Sequence, residues 1–337
     1  MNLKKRFELV KGGTAEIITE AELLKLLEKK DIKAYYGTAP TGPFHIAYLA
    51  TISKIFDFSQ AGIKTKILIA DLHSALDDLK TPWREIYKRS EYYKKCIELA
   101  FPWKEKPKFV LGSDFQLGHE YMLDVLKIAT ISTITRTKRA ASEVCRLREP
   151  KVGEMIYPIM QAVDEQYLDV DMQLGGIDQR HIMAFAREYL PRIDYRPRIE
   201  VMMPLIASLK GPGTKMSASV PESHIKIYES VEKIKEKITG AYCPEGSVKD
   251  NIIMQLCEFL IFKLKKKIKV ARRAKYGGDI TFNSYDELKE EFLAKKLHPS
   301  DLKNAVAEQL INIFKRARDY FEKHRDELEV LGKEFLT

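Results

Sequence analysis

A chain of 337 residues, 45% hydrophobic and 31% charged, has the apolar mass for a sizeable buried core in one large domain or two ordinary ones. No apolar run approaches the roughly 20 residues of a membrane span, and the opening MNLKKRFELVKGG lacks the apolar core and small-residue cleavage site of a secretory leader, so no membrane partner and a cytoplasmic address are expected. The net charge of +9 makes a polyanionic partner plausible without choosing among RNA, DNA and a membrane surface, and Cys96, Cys145, Cys243 and Cys257 show neither metal-ligand spacing nor a disulfide framework.

Residues 33–114 alternate short strand-like runs with helical ones. KAYYGTAP, the helical HIAYLATISKIFDFSQAG, KTKILIAD, a long charged helical stretch and KFVLGSD form a β-α-β-α-β series. Short apolar strands buried on both faces predict a parallel sheet covered by helices. A mostly helical insertion is expected from about 120 to 168, after which the same grammar resumes at Val170–Gly175, with a helix starting near Asp178, and at Arg198–Met203. Beyond Gly211–Gly213 the chain turns Lys-rich, and VEKIKEKITGAY, MQLCEFLIFKLKKKIKV and DLKNAVAEQLINIFKRARDYFEKHRDEL carry apolar residues at helical spacing. An α/β domain over 1–222 and a mostly α-helical C-terminal domain over 223–337 follow.

Four stretches carry chemistry. In the first, YYGTAPTGPFH, a strand ends in a loop with two Gly and two Pro and a helix starts beside His45, a geometry that offers free amides and a positive dipole to a phosphate; a purely structural His45 fits the same residues. In a helix, Tyr157, Gln161 and Asp164 fall at i, i+4 and i+7 on one face, where a solvated polar face would explain Gln and Asp more simply than Tyr157. Gly175-Gly176-Ile177-Asp178-Gln179-Arg180 follows a strand and opens a helix, with Asp178 readable as a ligand contact, as an N-cap, or as both. The loop at 211–219, GPGTKMSAS, sets Lys215 among hydroxyls where a triphosphate could be met, or is simply a flexible linker.

Together, His45-Ile-Ala-Tyr48, Tyr157-Pro-Ile-Met-Gln161 with Asp164, Gly175-Gly-Ile-Asp-Gln-Arg180 and Lys215-Met-Ser-Ala-Ser219 resemble the class I aminoacyl-tRNA synthetases, in the tyrosyl branch of archaea and eukaryotes. The likeness runs through nearly the whole chain, including Tyr276-Gly-Gly-Asp-Ile-Thr and His298-Pro-Ser-Asp-Leu-Lys. It implies a Rossmann-like catalytic domain, a helical anticodon-binding domain, and activation of tyrosine by ATP followed by transfer to tRNA. Thr41, His45 and Lys215 would act on the ATP phosphates, with Gly37, Gly176, Asp178, Met216 and Ser217 also on ATP. Tyr35 and Asp164 would meet the substrate phenol, and Tyr157, Gln161 and Gln179 its ammonium end. Arg180 would read the acceptor stem; Tyr276, His298 and Asp301 would surround the first anticodon base, with Lys303 on phosphate.

The resemblance further implies magnesium with the ATP and a homodimer formed through the segment Thr130–Arg148. Ala47-Tyr48 replaces the commoner Gly-His, as in the eukaryotic branch, and Ala218 stands where many class I enzymes carry a second lysine, which makes a potassium-dependent rate an expectation. A tryptophan-specific relative shares the fold and both family signatures, the phosphate-side one with Thr41 and His45 and the one led by Lys215, but Tyr35 and Asp164 suit a hydroxyl rather than an indole. An RNA-binding relative without activation is the alternative of another class.

Overall fold

The computed structural model describes residues 1–145, 149–213, 216 and 220–336. They group into two compact units: 1–41, 55–94 and 105–205 in the first, and 42–54, 95–104 and 206 to the C-terminus in the second. The position 222/223, where the sequence suggests a domain boundary, lies inside the second unit.

The first unit is a six-stranded sheet of β1 (Glu16–Ile18), β2 (Ile32–Thr38), β3 (Ile63–Ile69), β4 (Lys108–Leu111), β5 (Met172–Gly176) and β6 (Ile199–Met203), in the order β1-β6-β5-β2-β3-β4. β2 to β6 are mutually parallel and are the five strands that the alternation predicts; β6 is buried along its whole length, as a strand covered on both faces must be. β1 escapes that reading because its signal is only three residues long. It pairs antiparallel with β6, Glu16 opposite Met202, and closes that edge of the sheet.

The expected insertion consists of helices His119–Ile131, Ile134–Ala141 and Val152–Tyr167. Thr133 caps the second by accepting from the Arg136 amide at 3.2 Å, and Glu154 reaches back to the Lys151 amide at 2.8 Å at the start of the third. Their inner faces form one apolar cluster around Tyr121, Val125, Ile128 and Val163, joined by Phe185 of the helix Arg180–Tyr189. Because β2 to β5 run in one direction, the segments after Thr38, Ile69, Leu111 and Gly176 all emerge at one edge of the sheet. Chemistry in open α/β sheets gathers at that edge.

The second unit is mostly helical: Val231–Gly240, Ile252–Leu264 with a π-helical turn at Cys257–Ile261, Tyr285–Leu293, Pro299–Ile313 and Lys315–Lys323. The lysine-rich segment departs from the helical expectation. Its helix ends at Leu264, and Ile268–Val270 forms β7, paired antiparallel with β8 (Ile280–Phe282); Ile268 and Val270 point inward and Lys269 outward, a period of two. The last residues are ordered as two short helices, Arg325–Glu329 and Lys333–Leu336, and Phe335 is fully buried, which contributes about 2 kcal/mol. No helix among the described residues is long and apolar enough to cross a membrane.

Asn251 is fully buried and does three jobs: its Oδ1 accepts from the Ile253 and Met254 amides at 3.1 and 3.3 Å, and its Nδ2 donates to the Ser247 carbonyl at 2.8 Å. Asn251→Ala should therefore destabilise the second unit by about 2–3 kcal/mol, read as a lowered calorimetric transition. An unchanged transition would mean that the cap is not structural.

Candidate functional site

Asp164 lies on the inner face of the Val152–Tyr167 helix and is 1% exposed. Its Oδ1 accepts from Gln116 Nε2 at 2.7 Å and lies 2.8 Å from the Tyr121 hydroxyl, which is also 2.9 Å from the Met160 carbonyl. Its Oδ2 has no hydrogen-bond partner among the described residues, and neither has the hydroxyl of Tyr35, buried on β2. His73 Nε2 stands 3.8 Å from Oδ2, and the ring meets Tyr157 edge-on at 4.6 Å.

Electrostatics make this an uncompensated carboxyl. Burial pushes Asp164 up to about 7, against the opposing hydrogen bonds of Gln116 and Tyr121. Burial also pushes His73 down to about 4, so near neutral pH its ring is uncharged and cannot serve as a counter-ion. The Tyr35 phenol is held well above its ordinary value, first by burial and then by the charges of Glu165, Asp164 and Glu200. Tyr35 therefore stays a hydrogen-bond donor.

The layer beneath is also polar. Tyr35 on β2 is level with Gln173 on β5, and Gln173 with Glu200 on β6. Gln173 Oε1 and both carboxylate oxygens of Glu200 and Glu165 are buried without hydrogen-bond partners among the described residues. Glu165 is pushed up to about 8 by burial, eased by Arg198 and Arg187, and Glu200 is raised by burial and by Glu165.

Tyr35, Tyr157, Gln161, Asp164 and Gln179 all lie in the first unit, and Gln161 Nε2 donates to Gln179 Oε1 at 3.2 Å. Asp178 belongs to the short turn Ile177–Gln179 and does not cap the following helix, Arg180–Tyr189, whose N-cap is Gln179. A Cβ on Gly176 would lie 2.4 Å from Asp178 Oδ1, so glycine leaves that carboxylate its place, whereas a Cβ on Gly37 would meet only ordinary contacts. Arg180 forms a two-pronged pair with Glu16 of β1, at 2.6 and 2.9 Å.

Thr41 ends the stretch of the first unit after β2, its amide donating to the Ala39 carbonyl at 2.9 Å; His45 belongs to the second unit. There His45 is buried and caps the helix Ile46–Ile52, its Nδ1 accepting from the Ala47 amide at 3.4 Å, with its ring beside Tyr48 and His224. Burial and His224 hold its pKa well below the usual range, so the ring is a neutral hydrogen-bonding group. Met216 is half-buried, while Lys215, Ser217 and Ala218 lie outside the described residues. Tyr276 is exposed in a short turn; His298 caps the helix Pro299–Ile313, whose first turn holds Asp301, and Lys303 donates to the Thr239 carbonyl at 2.9 Å.

Sequence reading missed Gln116, Tyr121 and His73, which hold or face Asp164, and the acid pair Glu165–Glu200. Position alone could have found His73 and Gln116, which follow β3 and β4 at the chemical edge of the sheet. One further cluster, Asp77, Cys145 and Glu154, sets ligand-type atoms within 4.8 Å of one another, but Asp77 is paired with Lys80 and Glu154 is the helix cap described above.

A family model described as tRNA synthetases class I (W and Y) matches residues 27–315. The chain is 40% identical to the tyrosine-tRNA ligase of Haloarcula marismortui, over 99% of this chain and 98% of that one. It is 37% identical to the cytoplasmic tyrosine-tRNA ligase of Gallus gallus, over 94% of this chain but only 61% of the relative's length. The structure of the Archaeoglobus fulgidus tyrosyl-tRNA synthetase complexed with L-tyrosine superposes with a TM-score of 0.90 at 39% identity, covering 94% of this chain and 99% of that one. The chain belongs to the class I aminoacyl-tRNA synthetases, in the tyrosyl branch shared by archaea and eukaryotes.

Proposed function

We propose that this chain is a tyrosine-tRNA ligase, which joins the carboxylate of L-tyrosine to the α-phosphorus of ATP, releases pyrophosphate, and passes the tyrosyl group to the 3′ adenosine of its tRNA. The observation that carries the reading is the pair of buried, unpartnered atoms, Asp164 Oδ2 and the Tyr35 hydroxyl. A phenol both donates and accepts: it would donate to Asp164 and accept from Tyr35. Phenylalanine would leave both atoms unpaired, and a site built to bond a hydroxyl rejects the analogue lacking it, a behaviour for which tyrosine-activating enzymes are themselves the usual illustration. An indole N–H could satisfy Asp164 but not accept from Tyr35.

The carbonyl oxygens of Gln161 and Gln179, with the Tyr157 hydroxyl, suit the substrate ammonium. Thr41, His45 and Lys215 would act on the phosphates, where stabilising charge as it shifts in the transition state is the means of catalysis. Gly37, Gly176, Asp178, Met216 and Ser217 complete the ATP contacts in this reading. Magnesium would arrive bound to ATP, screening its charge, and a potassium dependence tied to Ala218 belongs to the same proposal. Arg180, oriented by Glu16, would exchange that pair for the acceptor stem; Tyr276, His298, Asp301 and Lys303 would hold the anticodon. A cytoplasmic location is part of this reading.

A homodimer is supported by the apolar side chains that the insertion leaves in solvent: Ile134 is 79%, Val152 76% and Leu126 58% exposed. Ile134→Asp should shift the sedimentation profile from dimer to monomer; an unshifted dimer would place the interface elsewhere.

Tyrosine-dependent exchange of labelled pyrophosphate into ATP tests the activity itself. Asp164→Ala should lower kcat/KM for tyrosine by about 30- to 1000-fold, the scale of one hydrogen bond lost to a buried partner, while phenylalanine exchange changes little. A variant as active as the parent would remove Asp164 from the phenol site.

The cost of this carboxyl has a definite sign. A folded-state value near 7, above the ordinary 3.8, means that the native chain keeps a proton that the unfolded chain has lost, so a stability penalty builds between about pH 4 and 7 and stays constant above. Asp164→Asn should raise the melting temperature at pH 7.5 relative to the parent, and the gain should shrink towards pH 4.5. A gain independent of pH would show that ionisation of Asp164 is not its source.

A further inference from the structure

Residues 224–228, which follow the 211–219 stretch in sequence, run beside the start of the helix Ile46–Ile52. The Ile46 amide donates to the Ile225 carbonyl at 3.0 Å, His45 and Lys226 form an antiparallel bridge, and the rings of His45 and His224 lie 4.7 Å apart. Ile225 and Ile227 are fully buried, and Lys226 between them is only 2% exposed. A lysine in such a place needs a reason, since its ammonium loses water on burial; its value is lowered to about 8 on that account.

The reason lies at the far end of the chain. Lys226 Nζ donates to the Glu334 carbonyl at 3.0 Å. Glu334 belongs to the four-residue helix Lys333–Leu336, so this bond ties the buried lysine to the last helix of the chain. Two more contacts hold the same corner: Phe335 is fully buried, and Tyr228 packs on Phe321 with ring centres 4.9 Å apart. The turn into the helix needs Gly332, which has φ +123°; a Cβ there would lie 2.7 Å from Glu334 Oε2.

From this continuous path we infer that the C-terminal segment Gly332–Phe335 is a latch, and Lys226 a positioning residue, that together hold residues 224–228 against His45 and so fix the phosphate-side signature for ATP. Neither Lys226 nor Glu334 need touch a substrate. Their effect passes through the Ile225–Ile46 hydrogen bond and the His45–Lys226 bridge to the ring that caps the Ile46–Ile52 helix. The functional half of this inference rests on the reading of His45 as an ATP-side residue; the structural half does not.

The test uses the full chain with Lys226→Met, which keeps the buried stem and removes the donor, Lys226→Arg, which restores a donor, and Gly332→Ala, which disturbs the latch from its other end. Pyrophosphate exchange is measured against ATP and against tyrosine, with amide hydrogen exchange at Ile46 in parallel. Lys226→Met and Gly332→Ala should each lower kcat/KM for ATP about tenfold, the scale of one lost positioning contact, and leave KM for tyrosine within about twofold. Their double variant should be little worse than either, Lys226→Arg should recover most of the loss, and the Ile46 amide should exchange faster in both single variants. Unchanged ATP kinetics and unchanged Ile46 exchange would overturn the latch, as would equal losses toward ATP and tyrosine, which would mark a general loss of fold. A parent chain with no tyrosine-dependent exchange would instead overturn the assigned activity, and Ile46 protection would still decide the latch.

Discussion

The first unit is organised around a carboxyl buried without a cation. Asp164 has two hydrogen bonds on one oxygen and an open valence on the other, and the nearest basic group, His73, is kept neutral by the same burial that raises the acid. A cation beside it would have relieved the buried charge, but it would have spent the oxygen that the proposed reading gives to the ligand. Gln116 and Tyr121 supply a third option: neutral donors that orient the carboxyl without consuming both oxygens or cancelling its charge. The apolar cluster that holds Val125 and Val163 then fixes the Tyr121 ring itself.

The acid pair below extends the same compromise. Glu165 follows Asp164 on the helix, and Glu200 reaches the layer from β6, so two carboxyls whose charges oppose each other share an interior eased by Arg198 and Arg187. Each raises the cost of ionising the Tyr35 phenol. A tyrosine surrounded in this way is a fixed donor rather than a proton acceptor, which in the proposed reading is the half of phenol recognition that Asp164 would not provide. The polar layer thus stabilises a protonation state at the expense of fold stability.

How far this was legible in the sequence depends on the length scale of each signal. The strands from Ile32 to Met203 are apolar runs four to seven residues long between glycines and charged turns, and their alternation with helices is visible without coordinates. Asp164 and Tyr157 announce themselves because helical spacing puts them on one face. Gln116 and Tyr121 do not: each is a single polar residue in a turn or a helix, and nothing in spacing tells a donor to a buried acid from a solvated side chain. Glu165, Glu200 and Lys226 invert the usual rule outright, since charged residues are expected outside and these three are inside. β1 and β7, at three residues each, lie below the length at which periodicity can be told from chance.

The partition of the chain into units separates residues that the sequence sets side by side. Residues 42–54, with His45, group with the helical C-terminal residues rather than with the sheet that carries Tyr35 and Asp164. His45 therefore shares a packed body with His298 and Asp301. Within that body the contacts are buried and specific: the Ser53 hydroxyl bonds the Ala50 carbonyl and the Phe259 carbonyl, and Phe259 sits in the π-helical turn at Cys257–Ile261. The helix after His45 is thus tied, through a hydrogen bond that spans 206 positions of sequence, to a segment that no local pattern could have named as its neighbour.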